Sequence, residues 1–238
     1  MTLYRDEGVV LRTWKLGEAD RIIVFLTSGH GKVRAVAKGV RKTRSKFGAR
    51  LEPTTNVAVQ FYEGRELDIV TQAETIDYFR SIRDDLDRFS RASAMLEAVD
   101  QLAPERHPNV QLYQMLVGGL RTLAAKPAPL VVPAFFFKLL ALEGFRPVVH
   151  ECVECATVEG LVAFDFESGG ALCREHRRGS AVAPESLDLL QAILGGRLGA
   201  ALETPESPVT HQLDTLATQA VEHHLERRLR SVGVLHQS

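Results

Sequence analysis

The chain has 238 residues, 45% apolar and 25% charged, with 29 Lys or Arg against 30 Asp or Glu. No run approaches the ~18 apolar residues of a membrane span, and three cysteines are too few and too odd a number for a disulfide framework, leaving metal binding or burial to explain them. The opening MTLYRDEGVV carries acids where an export signal carries a basic region and then an apolar one, so the expected location is the cytoplasm.

In chain order, Asp6 to Trp14 and Asp20 to Thr27 are rich in β-branched and apolar residues, with Gly17 marking a turn between them, and both read as strands. Lys32 to Val40 alternates at first: Val33, Ala35 and Ala37 face one way and Lys32, Arg34, Val36 and Lys38 the other. Thr43, Ser45 and Gly48 then break the alternation and predict a loop or short helical turn. Asn56 to Tyr62 and Glu66 to Thr71 complete a five-strand pattern across the compact turn Glu63-Gly64-Arg65. A barrel of five strands with its longest connection between the third and fourth matches an OB-fold, although strand count alone also admits other small barrels.

The same region holds the most one-sided charge in the protein. From Arg21 to Leu51 there are nine Lys or Arg and no Asp or Glu, so the rest of the chain has 20 basic residues against 30 acidic. Lys32, Arg34 and Lys38 can line a groove, and Arg41, Lys42, Arg44, Lys46 and Arg50 can wrap phosphates beside it, which predicts nucleic-acid binding through the backbone with slight sequence preference. Trp14, Phe47 and Tyr62 are the nearby aromatic rings; for Trp14 and Tyr62 core packing is expected ahead of base stacking. The plainer reading of the ribbon is a solvated strand edge guarded by charge.

Beyond Ile82 the period changes. Asp84 to Leu102, Asn109 to Ala124, Leu130 to Leu142, Pro184 to Leu194 and Val209 to Leu229 read as helices, the third apolar nearly all round and the last closing on Arg227, Arg228 and Arg230, favourable for a helix C-terminus. The expected organisation is a multidomain α+β protein, with a β-barrel at 1–80 and a helical domain at 81–238 that carries a small zinc motif at 150–178.

That motif is Cys152-x2-Cys155, seventeen residues, then Cys173-x2-His176. Two knuckles so spaced turn four ligands toward one point, and a hairpin about Ser168-Gly169-Gly170 would bring the second to the first. Four protein ligands close the shell, so the expected ion is structural Zn2+. The alternative is three buried thiols and a surface histidine. No P-loop, G-x-S-x-G, dinucleotide fingerprint or deaminase pattern is present, and no catalytic residue is expected.

Gly17-Glu18-Ala19-Asp20-Arg21, the run from Leu26 to Pro53 and the run from Glu66 to Glu74, together with the Cys and His spacing, resemble the RecO family of recombination mediators in bacterial DNA repair. The resemblance implies an N-terminal OB-fold, binding of single- and double-stranded DNA, annealing of complementary strands, and work with RecR and single-stranded DNA-binding protein to help load RecA, none of it enzymatic. The family often has Cys where this chain has His176. A competing class is a helical protein-interaction scaffold whose barrel docks on a partner protein.

Overall fold

The computed structural model describes residues 2–42, 45 and 47–231. The chain divides into two compact units, one running to Ala125 and taking in Arg230 and Ser231, the other Lys126–Leu229. Strands give way to helices near residue 80, as the change of period predicts, but the first unit continues through the helices that follow.

In that unit β1 (Leu3–Leu16), β2 (Asp20–Thr27), β3 (Gly31–Ala37), β4 (Asn56–Tyr62) and β5 (Asp68–Asp77) close a barrel in the order β1-β2-β3-β5-β4. All neighbours are antiparallel except β3 and β5, which run parallel where Ala35 pairs with Asp68. This is the five-stranded closure of an OB-fold and removes the ambiguity left by counting strands. Ile23, Phe25, Val33, Ala35, Ala37, Val57, Val59, Phe61 and Val70 fill the interior, and the short 3-10 helix Gly48–Leu51 plugs it with Phe47 and Leu51. Phe47 is therefore core and not available for stacking.

β2 and β4 match their predicted bounds, whereas β1 begins earlier and β5 runs further. The added residues include Arg5, Gln72 and Glu74, exposed outward positions whose polarity hid the strand period. β3 stops at Ala37 because Gly39 turns the chain with φ +67°.

α1 (Arg80–Arg83) precedes α2 (Leu86–Leu102), which Asp85 caps by accepting the Arg88 amide at 3.0 Å and which ends before Pro104. α3 (Val110–Ala125) starts from Asn109, whose side chain accepts the Leu112 amide at 2.9 Å. In the second unit α4 (Val131–Leu142) is buried on nearly every side and packs on α5 (Pro184–Leu194) and α7 (Pro208–Leu225). The short α6 (Leu198–Leu202) has no counterpart in the predicted elements. A three-stranded sheet, β7-β6-β8, is formed by β6 (Leu161–Asp165), β7 (Gly170–Cys173) and β8 (Ser180–Ala181). α7 ends at Leu225 because Glu226 adopts a left-handed conformation, so Arg227, Arg228 and Arg230 lie past the helix instead of closing its last turn.

Candidate nucleic-acid interface and metal centre

Side-chain alternation gives the barrel wall β1-β2-β3 an outer row on each strand: Arg12, Trp14 and Leu16 on β1, Ile22, Val24 and Leu26 on β2, and Lys32, Arg34 and Val36 on β3, with Lys38 just past its end. Oligonucleotides are generally met on this face of an OB-fold. Here half of it is covered. α2 and α3 pack on β1 and β2, and Val24 and Leu26 are each left 1% exposed.

The segment after α2 crosses β3 at the same end. Glu105 pairs with Lys32 as a parallel bridge and the Arg106 amide donates to the Lys32 carbonyl at 3.0 Å. Gly31 makes that crossing possible: with φ +69°, a Cβ there would stand 2.1 Å from the His107 carbonyl oxygen. Arg106 reaches Asp68 at 2.7 Å, beside the parallel β3-β5 closure, and Tyr4 also donates to that buried carboxylate. Burial pushes the Asp68 carboxyl up, but hydrogen bonds from Arg106, Tyr4 and the Gly64 amide outweigh it and hold it below its ordinary value.

This cover takes two of the expected DNA contacts. The Lys32 side chain is 12% exposed, donates to the Asp100 carbonyl at 2.6 Å and faces the Asp100 carboxylate, itself 10% exposed. Its ammonium is pulled below the ordinary lysine range, first by burial, with Asp100 and Glu105 opposing. Arg34 lies 3.4 Å from Glu105, an ion pair without a hydrogen bond at its Nε, and stays 41% exposed. Lys32 thus serves the packing of α2 on the barrel, in place of the groove-lining role expected for it. Arg34 stands at the boundary.

Toward the β1–β2 turn the cover stops. Lys38, Arg41, Lys42 and Arg50 are exposed, and Lys15 joins them from outside the acid-free run, paired in register with Arg21. Arg41 donates to the Gly17 and Glu18 carbonyls at 3.2 and 2.8 Å, which fixes the position of its guanidinium without neutralising its charge. Arg50 donates to the Phe47 carbonyl at 3.2 Å. Arg21 is spent on Glu52 at 2.7 Å. Arg44 and Lys46 lie outside the described residues. Among the described residues the structure therefore splits the expected set into cations displayed at one end of the barrel and Lys32 sealed under α2, with Arg34 between them.

Trp14 departs from its expected place in the core. Its ring is 36% exposed on the outer row, beside Leu16, and the Arg12 guanidinium lies over it with 4.9 Å to the ring centroid. Strict alternation from the core residue Val10 would turn Trp14 inward; a bulge between Val10 and Arg12 shifts the register and turns it out. No signal in the sequence marks that bulge.

The second unit gathers Cys152, Cys155, Cys173 and His176 so that their ligand atoms all lie within 4.8 Å of one another. Three of the separations are 3.9 Å between the Cys155 and Cys173 sulfurs, 3.8 Å from Cys152 Sγ to His176 Nδ1 and 3.3 Å from Cys173 Sγ to the same nitrogen. A tetrahedral ion with metal–sulfur bonds of ~2.3 Å needs ligand–ligand edges of ~3.4–3.8 Å, so this cluster could hold a metal ion. The first knuckle is closed by Ala156 donating to the Cys152 carbonyl at 2.8 Å, and is tied to β7 by Val153 donating to Ala171 at 3.0 Å. Gly170 lets the chains meet: a Cβ there would sit 2.3 Å from the Val148 carbonyl oxygen. Arg178 braces the outside through Glu154, Asp165 and Ser168.

Electrostatics in the cluster favour a cation. Burial raises the Cys152 thiol, but the amides of Cys173, Glu154 and Cys155 more than offset this and bring it to about 6. Cys173 is lowered, chiefly by His176, and His176 is raised by the same contact. At Cys155 the Thr157 amide lowers the thiol, but burial and the neighbouring sulfurs together raise it. Thiols this close resist ionising together unless positive charge sits among them.

Residues 1–79 match the family model described as recombination protein O N terminal, and residues 83–232 the model described as recombination protein O C terminal. A relative from Streptomyces coelicolor, named DNA repair protein RecO, is 46% identical over 244 aligned residues, covering 98% of this chain and 98% of its own length. No helix among the described residues is long and apolar enough to cross a membrane.

Proposed function

Because the chain belongs to the recombination protein O family of DNA repair proteins, we propose that it is a recombination mediator: it binds single- and double-stranded DNA, anneals complementary strands and, with RecR, helps load RecA onto DNA coated by single-stranded DNA-binding protein. The observation that carries this reading is the exposed remainder of the acid-free run, Lys38, Arg41 and Lys42, standing together at the uncovered end of an OB-fold. Two DNA strands repel through their phosphates. A cationic surface that holds both lowers the repulsion without reading bases, needs no bond to be made or broken, and works in the cytoplasm on the nucleoid. Arg50 extends the same surface, and in this reading Arg44 and Lys46 are further phosphate contacts. The metal in the Cys and His cluster is zinc, in a structural role, since four protein ligands leave no position for water.

The test is a salt titration of oligonucleotide binding. Lys38→Ala with Lys42→Ala should weaken single strands and duplexes of every sequence alike and flatten the slope of log K against log salt by about two, close to one per lost phosphate contact. The rate of annealing should fall with it. An unchanged slope defeats the reading.

A further inference from the structure

We propose that Trp14, backed by Arg12, is a stacking platform for an unpaired nucleobase, and that it gives this protein a preference for single-stranded over duplex DNA. The inference rests on the DNA-binding reading above and adds to it the form of nucleic acid the open face takes.

The face shows where cover ends. Along β2 the outer row passes from Leu26 and Val24, each 1% exposed, to Ile22 at 9%, and beside Ile22 stands Trp14, its partner in register, at 36%. Ile22 pairs on its other side with Val36, whose neighbour two residues on is the exposed Lys38. An apolar row, exposed Trp14, nearly buried Ile22 and half-buried Val36, therefore crosses the wall at the edge of the cover over two strand spacings, about 10 Å, with Arg12 at one margin and Lys38 at the other. The carboxylate on the outer row of β2, Asp20, is taken up by the Gly39 amide at 2.7 Å.

The indole is also held ready. Arg12 is bonded to the nearly buried Asp100 at 3.2 Å and lies over the ring, a contact that restrains the indole before any ligand arrives and lowers the rotamer freedom lost on binding. A base stacked on the indole completes a base–indole–guanidinium arrangement, with its phosphate turned toward Lys38. Bases inside a duplex already stack on each other and offer no free face, so only single strands gain this contact. Charge complementarity selects nucleic acid over an apolar protein surface as the occupant.

Trp14 is the single tryptophan of the chain, so intrinsic fluorescence reports on this residue alone. Titrating the full-length protein with oligo(dT) should quench its emission, whereas a mixed-sequence duplex of equal length should bind and leave emission nearly unchanged. Trp14→Ala should weaken oligo(dT) by about tenfold or more and duplex by less than about twofold, and Trp14→Phe should recover most of the loss. Equal losses for both DNA forms, or oligo(dT) binding that leaves the emission of the unaltered protein unmoved, overturns the platform while leaving phosphate binding intact. Emission that responds only to self-association or an added protein also overturns it. Absence of any DNA binding at low salt removes both readings together.

Discussion

The barrel and the Cys and His hairpin are both small β structures, but they are held by different means. The barrel buries a closed apolar interior with Phe25, Phe61, Ile23 and Val33 at its centre. The hairpin has a core of Cys152, Ala163, Leu172 and Cys173, half of it the ligand set itself. Apolar burial of that size falls short of the cost of ordering the chain, which is why such units depend on metal bonds. A barrel closed by its own core can display exposed cations on its surface; in the hairpin, Arg178 is spent on holding the turns together.

The strongest way to break this comparison is to deny the Cys and His cluster the zinc proposed for it. Chelation, or Cys173→Ala, should abolish metal binding and unfold the hairpin, since apparent affinities of structural Zn2+ are worth about 10–16 kcal/mol in finger-sized peptides. Proteolysis should then cut between Val148 and Val182 while oligonucleotide affinity stays within about twofold. If DNA binding vanished with the metal, the two regions would not be independent.

A smaller effect sharpens the account of the barrel. Asp68→Asn removes the negative charge and one of the two acceptor oxygens that serve Arg106 and Tyr4, and should cost about 2–3 kcal/mol in a denaturant titration, part of it offset because Arg106 is half exposed. The carboxyl is depressed in the folded protein, so its contribution is fully present above the unfolded value of about 3.9 and is lost as pH falls through the lower folded value. The variant should lose that part of the acid dependence; an unaltered acid limb would show that the carboxylate adds nothing to closure.

The smallest expected effect separates sealed from displayed charge. Lys32→Met should lower stability by about 1 kcal/mol, since Asp100 keeps Arg12 as a partner, and should leave the salt slope of DNA binding unmoved. A slope reduced by a full unit would place Lys32 among the phosphate contacts.

Much of this architecture is readable along the chain. β2, β4 and α5 fall at their predicted bounds, and α3 starts within one residue of its own, with Asn109 as its cap. The knuckle spacing identifies all four members of the cluster. These features are local, each set by a period of two or 3.6 residues, a cap or a short turn. The extent of β1 and β5 was hidden by polar outward residues, and the outward turn of Trp14 by one bulge.

What the sequence by itself determined is which side chains alternate, where positive charge is concentrated and which four residues can share one ion. Which of those charges remain available was decided only in three dimensions. Lys32 is neutralised by Asp100, 68 positions away, because α2 and the crossing behind it cover half of the barrel wall. A cation's availability depends on what lies across from it in space, and no local pattern records a partner that distant.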